Sequence, residues 1–165
     1  MSERARLRRW LQGDAGVAGV EFALILPLLC VLLFGFFEVG RMFWTYSVAS
    51  ASARDAARFA SRLPMVCAGL SATDVDRIKR LARTGVVDTG GTPLVKGWTS
   101  DATVTVAVTC VSNAGATYLG RYEDMANVPT VKVTATAPYQ TLFSGLLPGI
   151  TLNGIAVSNT QTWTE

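Results

Sequence analysis

Histidine is absent from the 165 residues. That removes the side chain most often used as a general base or metal ligand near neutral pH. Charge is scarce as well: 16% of residues are Asp, Glu, Lys or Arg, and the net charge is +3. So small a surplus does not favour a nucleic-acid partner. There is no Gly-rich phosphate loop, no cluster with metal-ligand spacing and no nucleophile elbow. The acids Asp88, Asp101, Glu123 and Asp124 fall in loop-like sequence, and the Glu123-Asp124 pair would hold a cation only weakly. Neither an enzyme, nor a cofactor, nor a metal site is expected.

What the chain has is hydrophobicity, at 50% of residues. Residues 22–37 carry no charge. With residues 17–20 and 39–44 the apolar stretch exceeds the roughly 20 residues that cross a bilayer core of about 30 Å. Arg4, Arg6, Arg8 and Arg9 precede it, so the positive-inside rule puts the N-terminus in the cytoplasm and the bulk of the chain outside. Arg41, Arg54, Arg58 and Arg62 dilute that asymmetry. The expected organisation is a cytoplasmic leader over 1–16, a long helix over 17–62 that is transmembrane at about 20–43, and an exported α+β domain over 63–165. Pro27 is expected to kink the helix, a break that membrane helices tolerate because neighbours re-satisfy the freed Ala23 carbonyl. Trp44 and Tyr46 stand where an outer aromatic belt should lie. A secretory signal peptide cut at Ala49-Ser50-Ala51 or Ala51-Ser52-Ala53 is the rival reading. The apolar run is longer than the roughly 7–15 residues of such peptides, and Glu38 and Arg41 separate it from those sites.

The helical pattern continues past the apolar run. Met42, Tyr46, Ala49, Ala53, Ala56, Ala57 and Ala60 recur at spacings of three and four, and no Gly or Pro intervenes before Pro64. The small side chains suit close packing on the following domain; a linker of good helix formers is the alternative. Arg54, Arg58 and Arg62 form a second stripe, with Asp55 placed to pair with Arg58 or Arg62. A second helix starts at a Thr73 cap, carries Asp74 and Asp76 in its first turn and stops at Gly85. Val75, Ile78, Leu81 and Ala82 are its apolar stripe. Arg77, Lys79, Arg80 and Arg83 make its solvated face, with lipid headgroups as another contact.

Beyond Gly85 the period changes to two. Val104, Val106, Val108 and Cys110 alternate with Thr and Ala; Val131, Val133, Ala135 and Ala137 do the same, as do Ile155, Val157, Asn159 and Gln161. Three half-buried strands follow. Residues 86–98 read as a loop with one short edge strand, 112–128 as a long connection, and 142–150 as an apolar loop over one sheet face. Of the three cysteines, Cys30 sits in the apolar run as a packed thiol. Cys67 and Cys110 lie in the exported part, where disulfides persist. Their bond would stabilise by about 4 kcal/mol in the chain-entropy model; two free thiols are the alternative.

The decisive junction is Gly16-Val17-Ala18-Gly19-Val20-Glu21-Phe22, a carboxylate at the mouth of an apolar run. With the following Ala23-Leu24-Ile25-Leu26-Pro27, the later Glu38-Val39-Gly40-Arg41 and the Ala-Arg-rich residues 53–60, it resembles TadE-like minor pilins (pseudopilins) of tight-adherence, or Flp-type, pilus systems. The resemblance covers about residues 13–62; the rest is similar only in style. It implies a pilin-like fold and a prepilin whose leader is removed between Gly16 and Val17 by an inner-membrane prepilin peptidase that recognises Glu21 and Phe22. A cut after Gly19 would leave Glu21 only two residues from the new terminus and is set aside; a cut after Gly13 is the alternative and would leave Glu21 eight residues in. The implied partners are that peptidase, other pilins or pseudopilins, the inner-membrane assembly platform and the bilayer. The resemblance also implies a role in assembling or initiating the pilus rather than forming its bulk.

Independently of the family, cleavage would create an ammonium on Val17 one helical turn from Glu21. The two could neutralise each other within a chain, or Glu21 could meet the ammonium of a neighbour. Glu38 and Arg41, three apart, are expected to pair at the outer interface. The competing function is a single-pass anchored domain that binds or senses a ligand through an exposed Trp98 or Trp163.

Overall fold

The computed structural model describes residues 15–115, 117–142 and 154–164. Residues 1–14 of the expected leader, Gly13 among them, and most of the apolar loop over 142–150 lie outside the described residues. By internal contacts the chain forms two units, Met1–Gly40 and Arg41–Glu165.

In the first unit every described residue belongs to helix α1, which spans Ala15–Ser61 and continues into the second unit. Helix begins two residues before Val17, and it runs without interruption through Pro27. Its apolar side chains face outward over the whole unit: Val17 is 69% exposed, Leu24 75% and Phe36 76%. Burying one such side chain is worth about 1.5–3 kcal/mol, so this surface calls for an apolar environment. By length and composition α1 is able to cross a membrane.

In the second unit α1 changes character. Thr45, Ala49, Ser52, Ala53, Ala56, Ala57, Ala60 and Ser61 are buried, a stripe that repeats with the 3.6-residue turn. The expected stripe is present from Ala49 onward. Met42 is only half-buried and Tyr46 is exposed; the face starts instead at Thr45, whose hydroxyl donates to the Arg41 carbonyl at 3.0 Å. Ser52 and Ser61 likewise donate to the carbonyls of Ala49 and Arg58, which lets polar side chains sit inside without an unmet bond. The helix tightens as it ends, with Arg62 and Leu63 donating to the carbonyls three residues back. Pro64 then excludes helical backbone at Leu63.

Helix α2 spans Ala72–Thr84. Its cap is Ser71, not the expected Thr73. Ser71 Oγ accepts from the Asp74 amide at 3.2 Å and donates to the Asp74 carboxylate at 2.7 Å. Only a cap at Ser71 places Asp74 at the third helical position, where this reciprocal closure is possible. Gly85 closes the helix in the left-handed region, φ 76°, and its amide donates to the Leu81 carbonyl.

The sheet is antiparallel, in the order β1-β2-β3, with β1 over Val104–Ser112, β2 over Asn127–Ala137 and β3 over Ile155–Thr162. Register pairs Val104 with Ala135, Val106 with Val133 and Val108 with Val131, and across β2–β3 it pairs Ala135 with Val157. Those residues share one face. They form a single buried cluster with the alanines of α1, with Ile78 and Ala82 of α2, and with Met65, Val95 and Trp98. The fold is therefore α+β, as expected. Residues 86–98 contain no edge strand. Val87 and Leu94 instead tie this loop back to α2: Arg80 donates to the Val87 carbonyl at 3.1 Å, and the Leu94 amide to the Arg83 carbonyl at 2.9 Å. Gly91 permits this return, since a Cβ there would lie 2.3 Å from Val86 Cγ2 and 2.6 Å from Thr84 Oγ1.

Strand β2 begins at Asn127, inside the stretch expected to be connection, and includes Pro129. Proline cannot donate to a ladder. The Trp163 amide donates to the Pro129 carbonyl, and in an antiparallel pair the Pro129 nitrogen would return a bond to the Trp163 carbonyl. The Tyr122 hydroxyl donates to that carbonyl in its place.

Candidate processing junction and docking face

Gly16 and Gly19 lie in the first turns of α1, and a Cβ at either would meet nothing within 4 Å. Val17, Val20, Glu21 and Phe22 are exposed. The junction is thus helical and free of tertiary contact within the described residues. Each glycine in a helix costs about 1 kcal/mol relative to alanine, so these two weaken the first turns of α1.

The two charged residues at the far end of the apolar run are close in sequence. Glu38 is half-buried and Arg41 exposed. The Arg41 guanidinium lies over the Tyr139 ring, 5.9 Å from its centroid, a cation–π contact just after β2. Tyr139 carries no signal in the sequence, because it follows Pro138 in what reads as loop. Nearby, Phe43 and Tyr46 have ring centroids 6.5 Å apart and, with Trp44, form an exposed aromatic group.

Cys67 and Cys110 are bonded, with Cα atoms 5.7 Å apart and a sequence separation of 43. The bond ties the segment after α1 to β1. Cys30 is free.

The tryptophans do not form an exposed binding face. Trp98 is 1% exposed and is the largest fully buried side chain. Its indole Nε1 donates to Thr103 Oγ1 at 2.7 Å, and its carbonyl accepts from Arg83 Nη1. An aromatic ring with one satisfied polar atom is well suited to a core, which overrides the expectation of exposure. Trp163 is half-buried, and its Nε1 donates to the Leu63 carbonyl at 3.1 Å. A pocket of about 120 Å³ beside Trp98, Thr103 and Pro138 is well below the 300–1,000 Å³ or so of small-molecule sites. Among the described residues no three of the His, Cys, Asp and Glu side chains gather as a metal site.

Charges on the helices are placed unevenly. Arg77 pairs with Asp74 at 3.5 Å and lies over the Phe59 ring; Arg83 pairs with Asp101 at 2.6 Å. Asp55 makes no salt bridge with Arg58 or Arg62 among the described residues. All three are exposed, and water satisfies them at little cost, as is common for surface ions.

The junction and the Ala-Arg face of α1 fall within one stretch that matches a known family model, described as TadE-like protein. Residues 16–58 form a TadE-like segment. The match starts at Gly16, takes in the apolar run, and ends at Arg58 on the outer face of α1. It covers less than half of the chain. No curated protein and no solved structure matches the chain.

Proposed function

We propose that this protein is a minor pilin of the pseudopilin type, acting in assembly or initiation of a tight-adherence (Flp-type) pilus. The TadE-like segment suggests association with such a pilus. The finer reading is carried by one observation: the family match begins at Gly16, at the residue where the junction motif places the cut. Prepilin peptidase cleaves between Gly16 and Val17, using Glu21 and Phe22 as its recognition residues. The mature chain then begins with a Val17 ammonium at the positive end of a helix dipole, an unfavourable arrangement. Glu21, one turn on and exposed, supplies the compensating charge to its own chain or to a neighbour.

The apolar surface of the first unit supports an anchor in the inner membrane, with the leader cytoplasmic, residues 20–43 spanning, and residues 63–165 periplasmic. Glu38 and Arg41 mark the outer boundary, where Arg41 already stacks on Tyr139. The disulfide supports the same orientation, since such bonds persist in oxidising compartments. The other pilins and the assembly platform are the partners of this reading.

Mass spectrometry of the protein purified from membranes tests it. A mature N-terminus at Val17 is expected, and its loss in Gly16→Ala and in a peptidase-null strain. A chain that keeps Met1 or Ser2 in a peptidase-competent cell refutes it.

A further inference from the structure

An open sheet has two edges, and natural proteins blunt them with charge, proline or a bulge, or cover them. Strand β3 carries none of the first three devices. Ile155–Thr162 has no charged residue and no proline, and its register with β2 is continuous from Ile155 to Thr162. One bond shows which of its main-chain groups point outward. The Trp163 amide donates to the Pro129 carbonyl, in step with the pairing of Thr162 and Thr130. Bonding alternates along an antiparallel ladder, so Ile155, Val157, Asn159 and Gln161 bond to β2. Ala156, Ser158, Thr160 and Thr162 turn their amides and carbonyls away from it. No loop, turn or cap backbone bonds those groups among the described residues. Thr164 continues the outward series, and its amide is taken by the Ser61 carbonyl. The line is thus bonded at its end and open along β3.

The opposite edge differs. The Asn113 amide donates to the Ala126 carbonyl in step with the β1–β2 register, so the outward series on β1 is Val104, Val106, Val108, Cys110 and Ser112. The Val104 amide is bonded to the Asp101 carbonyl. Cys110 carries the disulfide, and α2 packs against the strand. On β3 the outward positions are unencumbered: Ala156, Ser158 and Thr160 are exposed and Thr162 is half-buried. Their side chains are small or β-branched and uncharged, so a neighbouring strand would meet neither bulk nor like charge.

We propose that the β3 edge receives an extended, uncharged strand from a different protein of the pilus assembly, which adds to the sheet beside β3. Donors and acceptors alternating along an edge are matched by another main chain. A second copy is poorly suited to supply it. Two β3 edges pair symmetrically only when antiparallel, about an axis normal to the sheet. Helix α1 packs along the sheet, so that axis would reverse it in the second copy, which two chains anchored from one side of one membrane do not permit. The β1 edge of a second copy is already engaged at Val104 and Cys110. That the partner is a pilus protein rests on the function proposed above; the open edge does not.

Hydrogen exchange of the full-length chain, resolved along β3, reads the edge directly. In the chain purified alone in detergent, the amides of Ala156, Ser158, Thr160 and Thr162 should exchange freely. In membranes that also hold the co-expressed pilus assembly proteins they should slow about tenfold or more. Ser158→Lys puts a charge on the edge, and Thr160→Pro removes an outward donor while sparing the bonds to β2. Each should abolish both the slowing and pilus formation, while keeping the Cys67–Cys110 bond and the Val17 terminus. Ala107→Lys on β1 should leave the slowing and the pili as they are. Free exchange in both preparations overturns the proposal, as does unchanged slowing in Ser158→Lys. Slow exchange in the chain alone overturns it too, because the chain then covers its own edge. Slowing in membranes that hold only this chain does the same, because a second copy then pairs there. A chain that keeps Met1 would instead refute the pilus reading, independently of the edge.

Discussion

At the scale of single residues, the domain depends on a few side chains whose polar atoms are individually met. Trp98 belongs to the buried core shared by the helices and the sheet, while its indole bonds Thr103. Trp98→Ala should destabilise by about 3–5 kcal/mol, the cost of emptying a large aromatic site, measured as the denaturant midpoint of the detergent-solubilised chain. Tyr122 is a subtler case. It supplies the bond that Pro129 cannot return to Trp163. Tyr122→Phe keeps the ring but leaves that carbonyl without its donor, and should cost about 1–3 kcal/mol. A variant unchanged in the same unfolding measurement would show that water serves the carbonyl equally well. In the competing ligand-binding reading, the sequence offers Trp98 as an exposed residue. Its burial was hidden because the loop over 86–98 has no periodicity, and periodicity is the main clue to which side of an element faces inward.

At the scale of elements, the packing of α1 on the sheet rests on small side chains. Ala49, Ala53, Ala56, Ala57 and Ala60 are 0–1% exposed and share one buried cluster with the strand valines. Ala56→Leu should overpack this face and cost about 1–3 kcal/mol. An increase in stability, read from thermal unfolding, would mean that the face holds unfilled space. The disulfide acts at the same level by joining the segment after α1 to β1. Cys67→Ser with Cys110→Ser should lower stability by roughly 4 kcal/mol, seen as an earlier unfolding midpoint under non-reducing conditions.

These elements were legible to different degrees, for physical reasons. The inner face of α1 and the strands over 104–110, 131–137 and 155–162 show in the sequence because burial on one side forces a period. The first residues of β2 do not, because Pro129 argues against a strand and the carbonyl it cannot serve lies 34 positions away, at Trp163, where the Tyr122 hydroxyl serves it. The cap of α2 was ambiguous between Ser71 and Thr73, two hydroxyls two residues apart; only the position of Asp74 decides it. At the junction, Gly16, Glu21 and the apolar run were legible because a carboxylate beside a membrane-length stretch is costly. The contact of Arg41 with Tyr139 joins residues 98 positions apart and leaves no pattern to read.

At the scale of the whole molecule, an apolar helix with exposed side chains and a disulfide-bonded domain belong to different solvents. If the domain is periplasmic, Cys67–Cys110 should form in the normal cell and stay reduced in a strain lacking the periplasmic thiol-oxidising pathway. Alkylation of free thiols followed by mass measurement reads this directly. Equal oxidation in both strains would remove the disulfide as support for the orientation.

The clasp that follows β3 also governs timing. The Thr164 amide donates to the Ser61 carbonyl at 2.8 Å, and Trp163 bonds Leu63, residues 100 positions apart. Residues made well after α1 therefore close onto its last turn, across the intervening domain. Helix α1 can form as soon as it leaves the ribosome, because its bonds are local. The sheet cannot be completed until β3 has been made, since β3 supplies one edge and leads into the clasp. The domain around the sheet is thus built to fold late and as one event, once β3 is present. Until then its alanine face and the open β2 edge are exposed to whatever machinery receives the chain.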